Sequence, residues 1–302
     1  MARVPLWRRM APLRWHYLFI APGVLFFVVF AYVPLLGNVV AFQDYSPFRG
    51  IDGSPFVGWA NFAAIFTDPE VGRALTNTLV LSALQIVFAF PAPIILALLL
   101  NSLLSVRLQR FVQSVVYLPH FISWVVVVAI WQEVLGGAGM VNDLLGAIGV
   151  GPTSIMTNPD WFPQLVTAQV IWKEIGWGTI IFFAALSTIP NELYESAAID
   201  GAGAMRRIWH VTLPGMLGVI VLLLILRLGT VLTVGFEQLL LQQNAVGRDA
   251  AQVLDTFVYF RGVLGGGWGL AAAAGLFKGV VGTIVVLGAN WLAKRLGTRG
   301  LF

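Results

Sequence analysis

The sequence contains no cysteine. That removes disulfide staples, thiolate nucleophiles and cysteine-ligated zinc together. Histidine is nearly as scarce: His16, His120 and His210 lie far apart and form no H-E-x-x-H pair, so a helical zinc site has no support. Lysine occurs only as Lys173, Lys278 and Lys294, none followed by Ser or Thr after a glycine-rich stretch, which excludes a phosphate-cradling P-loop. Charge is sparse as well. Of 302 residues only 11% are charged, against roughly 25% in soluble globular proteins, and 58% are apolar. A soluble domain is therefore excluded. Several apolar runs reach the ~20 residues needed to cross ~30 Å of hydrocarbon, and the length holds about six of them with no room for a large extramembrane domain. The formal charge of +4 then bears on membrane sidedness, and nucleic acid is not an expected partner.

The runs lie near 17–40, 75–100, 112–135, 164–186, 214–240 and 269–292. The first follows a basic head of Arg3, Arg8, Arg9 and Arg14 and exceeds the ~7–15-residue core of a cleaved signal peptide, so it reads as a retained helix. Segment 41–71 mixes Asp44, Asp52, Asp68 and Glu70 with Trp59, Phe62 and Phe66, which suits a loop with a short interfacial helix. With both termini on one side, Arg3, Arg8, Arg9, Arg14, Arg107, Arg110, Arg206, Arg207, Lys294, Arg295 and Arg299 share that side, against Arg49, Arg73, Arg248 and Arg261 opposite. This asymmetry predicts cytoplasmic termini in a multi-pass inner-membrane chain. The expected organisation is an all-α polytopic helix bundle: a cytoplasmic segment 1–16, six transmembrane helices over 17–293 with a cytoplasmic loop at 190–214, and a cytoplasmic tail 294–302.

That loop is the most informative stretch. Pro190 suits a first helical turn and Glu192 its positive end, so a short helix should begin there and stop at Gly201 and Gly203, before a second helical stretch leading to Leu213-Pro214. Ser196, Ala197 and Ala198 let another surface approach the backbone closely, and Glu195 offers a charge suited to an arginine on it. Arg206 and Arg207 read as juxtamembrane charges that set topology and meet anionic lipid.

The spacing Glu195-Ser196-Ala197, three residues, Gly201, nine residues, Val211, one residue, Leu213-Pro214 resembles the signature loop of permease subunits in binding-protein-dependent ABC importers. Ser196 and Val211 stand where the family pattern has Ala and Ile. The string from Tyr194 to Gly201 is similar to the carbohydrate-importer branch. Four other stretches, 90–98, 119–123, Gly176-Trp177-Gly178 and Val234-Gly235-Phe236-Glu237, resemble permeases for oligosaccharides from complex polysaccharides and alginate. The resemblance implies a type I, MetI-like fold of six helices and a partnership with a second, different permease chain. It further implies two ATP-binding subunits that hold ATP and Mg, and an extracytoplasmic sugar-binding protein. The chain itself would be a transport subunit with no cofactor or ATPase site, whose loop residues Glu195, Ser196, Ala197, Gly201, Val211, Leu213 and Pro214 seat on the ATPase.

Charged residues in or near the spans are Glu133, Lys173, Glu174, Arg227, Glu237 and Lys278, and each should face the bundle interior, water or another of the set. Glu237 is expected near the outer end of the fifth helix, where its carboxylate would accept from sugar hydroxyls unless it pairs with Arg227 or Lys278. Trp131, Trp172 and Trp177 are candidates for the apolar faces of a sugar, against a plain interfacial belt. Gln242, Gln243 and Asn244 occupy the place of a glycine-rich outer loop in many sugar permeases. Pro91, Pro93 and Pro119 are candidate kinks, and Gly275 and Gly279 form a G-x-x-x-G suited to helix packing within the bundle. Two rival classes remain. An intramembrane enzyme would draw on Ser123 and His120, but no G-x-S-x-G or G-x-G-D motif accompanies them. An ATP-independent secondary transporter or channel shares the composition, but leaves the signature loop unexplained and lacks an inverted sequence repeat.

Overall fold

Proline inside an apolar helix removes a backbone donor and sets its ring against the carbonyl four residues back. This chain resolves that conflict at Pro34, Pro91 and Pro214 in the same way. In the computed structural model, which describes residues 13–297 and 300–301, each of these prolines lies just beyond a π-helical turn: Val28–Tyr32, Gln85–Ala89 and Ile208–Thr212. The residue before each proline (Val33, Phe90, Leu213) donates its N–H to the carbonyl five residues back, so the turn widens where the ring would clash. The helices run on through their prolines. The candidate kinks at Pro91 and Pro93 thus lie in and beside a widened turn, whereas Pro119 lies in a 3₁₀ turn, Leu118–Phe121.

The principal helices are α1 (Arg14–Phe42), α2 (Ala60–Thr67), α3 (Pro69–Asn101), α4 (Val106–Tyr117), α5 (Trp124–Leu135), α6 (Met140–Ala147), α7 (Phe162–Leu186), α8 (Asn191–Ile199), α9 (Ala204–Gly229), α10 (Phe236–Val246) and α11 (Trp268–Arg295). Side-chain caps start three of them. Asp68 accepts from the Glu70 N–H ahead of α3, and the Ser105 and Ser123 hydroxyls accept from Leu108 and Val126 at the heads of α4 and α5. Among the described residues the one β-feature is a bridge between Gln43 and Phe56. The stretches Arg14–Phe42, Pro69–Asn101, Trp124–Ala147, Ala204–Gly229 and Trp268–Arg295 are each long and apolar enough to cross a membrane, and α7 joined to α8 across a 73° bend makes a sixth. A short helix does lie within 41–71, namely α2.

Three sequence expectations are corrected. The predicted third span, 112–135, is broken: helix α4 ends at Tyr117, the 3₁₀ turn follows and Ile122 is extended before α5 begins. The predicted fifth span, 214–240, begins ten residues earlier at Ala204 and stops at Gly229, leaving 230–235 non-helical before α10 restarts beyond Gly235. Gly235 has φ +94°, a region closed to most side chains, and hydropathy alone does not register that reversal. The polar segment 242–267 is not a loop at its start, because α10 continues to Val246. Of the basic residues used for sidedness, Arg3, Arg8, Arg9 and Arg299 lie outside the described residues, as does most of segment 1–16.

Buried apolar side chains form three cores. Phe162, Leu165 and Val166 of α7 meet Leu81 of α3 and Leu239 of α10; Val71 and Ala74 of α3 meet Ala273 and Ala274 of α11; and Phe182, Ala185 and Leu186 of α7 meet Ala97 of α3 and Met216 of α9. By contrast, α1 buries no residue before Ala41. Helix α7 is drawn into the bundle by glycine. A Cβ on Gly176 would lie 2.0 Å from the Val116 carbonyl oxygen of α4, and one on Gly178 would lie 3.0 Å from Pro93 of α3. Gly275 and Gly279 have no atom within 4 Å of an added Cβ, so close packing within the chain is not their use.

Gly176→Ala is therefore expected to separate α7 from α4 and destabilise the fold by about 1–3 kcal/mol. Gly275→Ala should be neutral. Heating the detergent-solubilised variants and measuring the surviving monodisperse fraction checks both, and equal survival of the two would refute the close-approach account.

Candidate translocation cavity and coupling segment

Backbone that leaves the helical ladder at membrane depth is tolerated only where protein buries it or a cavity receives it. Three such irregularities converge here. The π turn of α3 contributes Gln85 and Ala89, the break between α9 and α10 contributes Thr233, Val234 and Gly235, and Trp124 follows the break between α4 and α5; all line one cavity of about 410 Å³. Gln85 and Glu174, also in its wall, are the middle residues of Pro69–Asn101 and Phe162–Leu186. The cavity therefore sits at mid-helix level between the cores. Phe90, Pro93 and Trp177 supply apolar surface, and Glu174, Arg227 and Gln238 supply polar groups.

Lys173 explains how the broken span holds. Its ammonium donates to the carbonyls of Pro119, His120 and Ile122 at 3.3, 2.7 and 2.6 Å, and lies 5.6 Å from the centre of the Trp124 ring. One buried cation thus reaches the carbonyls around the break, of which that of Pro119 also accepts from the Ile122 N–H at 3.2 Å. Next to it, Glu174 accepts from His120 Nδ1 at 2.7 Å, and the His120 ring stacks on Trp177 with centroids 4.4 Å apart. The motif Gly176-Trp177-Gly178 is thereby accounted for: the glycines admit the neighbouring helices and the tryptophan between them faces the cavity and His120. Ser123 caps α5 while His120 faces Glu174, so the pair is not arranged as nucleophile and base.

The substrate candidates divide. Trp177 lines the cavity. Trp131 and Trp172 do not; they meet edge to face at 6.4 Å, with Trp131 packed on the first core. Glu237 is exposed on the first turn of α10 rather than at the end of the fifth span, and lies outside the cavity wall. Neither expected cation reaches it: Lys278 donates to Asp255 and Arg227 to the Gln85 side-chain oxygen. The other face of α10 is the polar one that matters to packing. Gln238 and Gln242 donate to Gln169 Oε1 of α7 at 2.7 and 2.9 Å, all three amides buried. Gln242 is thus a helix-joining residue and not part of an outer loop. Sequence reading missed Gln85, Gln169, Gln238 and Trp124; for Gln85 the signal available was a lone amide within an otherwise apolar run.

Of the candidate coupling residues, Glu195, Ser196, Ala197 and Gly201 form a short exposed helix and its turn, and Val211, Leu213 and Pro214 lie on α9. Pro190 is the N-cap of α8 rather than a first-turn residue. At the other end, Ala202 N–H reaches the Ala197 carbonyl at 2.8 Å and Gly201 N–H the Ala198 carbonyl at 3.0 Å, with Gly201 at φ +74°. This is a Schellman closure, which requires the left-handed residue that glycine supplies at least cost. Helix α8 buries no residue: Glu195 and Ser196 are exposed, as are Leu193 and Ile199, the latter 87% so. Only the Tyr194 side engages the bundle, packing on the third core with Val211 and Leu213 and bonding through its hydroxyl to Thr212 at 3.1 Å. Leu213 and Pro214 continue α9 beyond its π turn.

A helix bundle with non-helical breaks around a mid-level cavity, and a signature helix projecting from one end, defines a membrane permease subunit. The family model for the inner membrane component of binding-protein-dependent transport systems matches residues 89–298, and the chain belongs to that family. It is 45% identical over 290 residues to Protein LplB of Bacillus subtilis (strain 168), covering 96% of this chain and 91% of that protein. With the polygalacturonan/rhamnogalacturonan transport system permease protein YteP of the same organism the identity is 46%, over 96% of this chain and 90% of the other. Among solved structures, a chain of the bacterial alginate ABC transporter in complex with alginate pentasaccharide-bound periplasmic protein superposes with a TM-score of 0.90 at 36% identity, covering 98% of this chain and 99% of that one. The fold is the type I, MetI-like bundle, and the chain is a multi-pass transport subunit rather than an enzyme.

Lys173→Met should take the ammonium donor from the carbonyls of His120 and Ile122, while that of Pro119 keeps the Ile122 N–H at 3.2 Å, and destabilise the chain by at least about 2 kcal/mol. The same thermal-survival measurement tests this. A variant as heat-resistant as the wild type would mean that the break at Pro119 is held by something other than the ammonium.

Proposed function

We propose that this permease imports oligosaccharides, forming half of the translocation pathway beside a second, different permease chain. Two cytoplasmic ATP-binding subunits, holding ATP and Mg, drive it through loop 190–214, and an extracytoplasmic sugar-binding protein delivers the substrate. The observation that carries the coupling role is the unpartnered state of α8: Glu195 is exposed and has no ion pair among the described residues, on a helix that buries nothing and is closed by a rigid turn at Gly201. Both termini lie in the cytoplasm on this reading, with 1–16 and 294–302 flanking the membrane domain over 17–293. Helix α1, with no buried residue before Ala41, is free to face lipid and the second permease chain.

The sugar assignment draws on the cavity and on the relatives. Trp124, Trp177 and Phe90 offer flat apolar faces, and Gln85, Gln238 and Glu174 offer hydrogen-bonding groups, which is the mixture a carbohydrate requires. The relatives named above carry polygalacturonan or rhamnogalacturonan in one case and alginate in another. Arabinooligosaccharides are named for a third, 31% identical to this chain.

Glu195→Arg is expected to abolish co-purification of the ATP-binding subunits and ATP-dependent sugar uptake while the chain still reaches the membrane at normal levels. Pull-down of the tagged permease with its ATP-binding subunits, together with uptake of labelled oligosaccharide, tests this. Undiminished recovery and uptake, or uptake by the chain without ATP-binding subunits, would count against the coupling role.

A further inference from the structure

The cations in and beside the spans are not equivalent. Lys173 is satisfied by three carbonyls, Lys278 by Asp255, and Arg73 by Asp249 at 3.1 Å. Arg227 has no carboxylate partner among the described residues; it donates only to the neutral Gln85 amide. It stands in the last turn of α9 and lines the mid-level cavity. A helix C-terminus favours a cation by well under what a cation at bilayer depth costs. The acid in the same wall is already engaged, since Glu174 is bonded to His120 and lies 3.9 Å from the Lys173 ammonium.

A second observation concerns Gln85 itself. Its side chain is 2% exposed, its oxygen is taken by Arg227, and its Nε2 has no acceptor. Gln238, which lines the same cavity, likewise has a buried Oε1 without a donor. The lining therefore carries an uncompensated guanidinium beside a donor amide in want of an acceptor, and a second amide whose oxygen is in want of a donor. A planar guanidinium beside an amide N–H matches the two oxygens of a carboxylate, and the second amide oxygen suits a hydroxyl.

We infer that the cavity holds a carboxylate-recognising subsite, with Arg227 as its charge and Gln85 as its second donor, and that the imported oligosaccharide is acidic, built of uronate residues. This rests on the sugar-import reading and sharpens it. The aromatic faces of Trp124 and Trp177 then serve the sugar ring while Arg227 selects the charge it carries.

The test uses the complete importer in proteoliposomes with its binding protein and ATP-binding subunits. Uptake of trigalacturonate and of its carboxyl-reduced, neutral counterpart is measured for wild type, Arg227→Gln and Arg227→Lys. The same binding protein delivers both sugars to every variant, so its own selectivity cancels in the comparison. Arg227→Gln should lower trigalacturonate uptake at least about tenfold, the loss expected for a hydrogen bond to a charged group, and change uptake of the neutral sugar by less than about twofold. Arg227→Lys should recover part of the loss. An equal fall for both sugars, as would follow if Arg227 paired with a carboxylate of the second permease chain, overturns the subsite, and so does an unchanged ratio. A wild type that moves only the neutral sugar overturns this inference and leaves sugar import standing, whereas a wild type that moves neither overturns both.

Discussion

Hydrocarbon offers no water to a freed peptide group, so each departure from the helical ladder in a membrane must be matched by a protein group close by. The architecture of this permease follows from how it meets that demand. At Pro34, Pro91 and Pro214 the helix widens, and the neighbouring N–H reaches one residue further back. At Pro119 the helix breaks outright, and a single ammonium from α7 collects the stranded carbonyls. The first solution leaves long rods intact. The second ties two helices together across the break, at the level where the cavity opens.

Helix α7 is consequently the axis of the molecule. It contributes to two of the three cores and carries Lys173 and Glu174 beside the cavity. Its glycines admit α4 and α3, and Gln169 is shared with α10. Buried hydrogen bonds between helices fix one helix register against alternatives that apolar packing alone would tolerate. The lysine and glutamine contacts of α7 supply that fixity, which α1, with its exposed apolar surface, does not have from this chain.

Much of this was legible beforehand, and for a physical reason. A membrane span must be apolar over its whole length, so six runs announce the bundle, and the Glu195–Gly201–Pro214 spacing announces the exposed turn because only glycine closes it cheaply. The failures share a cause too. Hydropathy sums over a window, and neither the reversal at Gly235 nor the break at Pro119 changes the sum. Glu237 therefore reads as the end of a span that in fact stops eight residues earlier, and Gln242 reads as loop although its amide is one of three buried between helices. The polar residues that shape the cavity, Gln85 and Gln238, are uncharged; Gln85 stands singly among apolar neighbours and Gln238 follows the more conspicuous Glu237. A charge inventory does not find them.

The two functional regions are connected by one continuous element. Helix α9 begins at Ala204, just beyond the turn that closes α8, and reaches Arg227 at the cavity wall roughly 35 Å away. Near its base the π turn Ile208–Thr212 is tied to α8 by the Tyr194–Thr212 bond, and Val211 and Leu213 pack with Tyr194 on the third core. On the coupling proposed above, a displacement of α8 would pass to α9 through side chains already in contact, and along α9 through one continuous helix. At its far end that helix gives way to the non-helical residues 230–235, so the joint between α9 and α10 lies where the chain lines the cavity and not in the packed cores. The break that costs the membrane span its continuity therefore stands between Arg227 and α10.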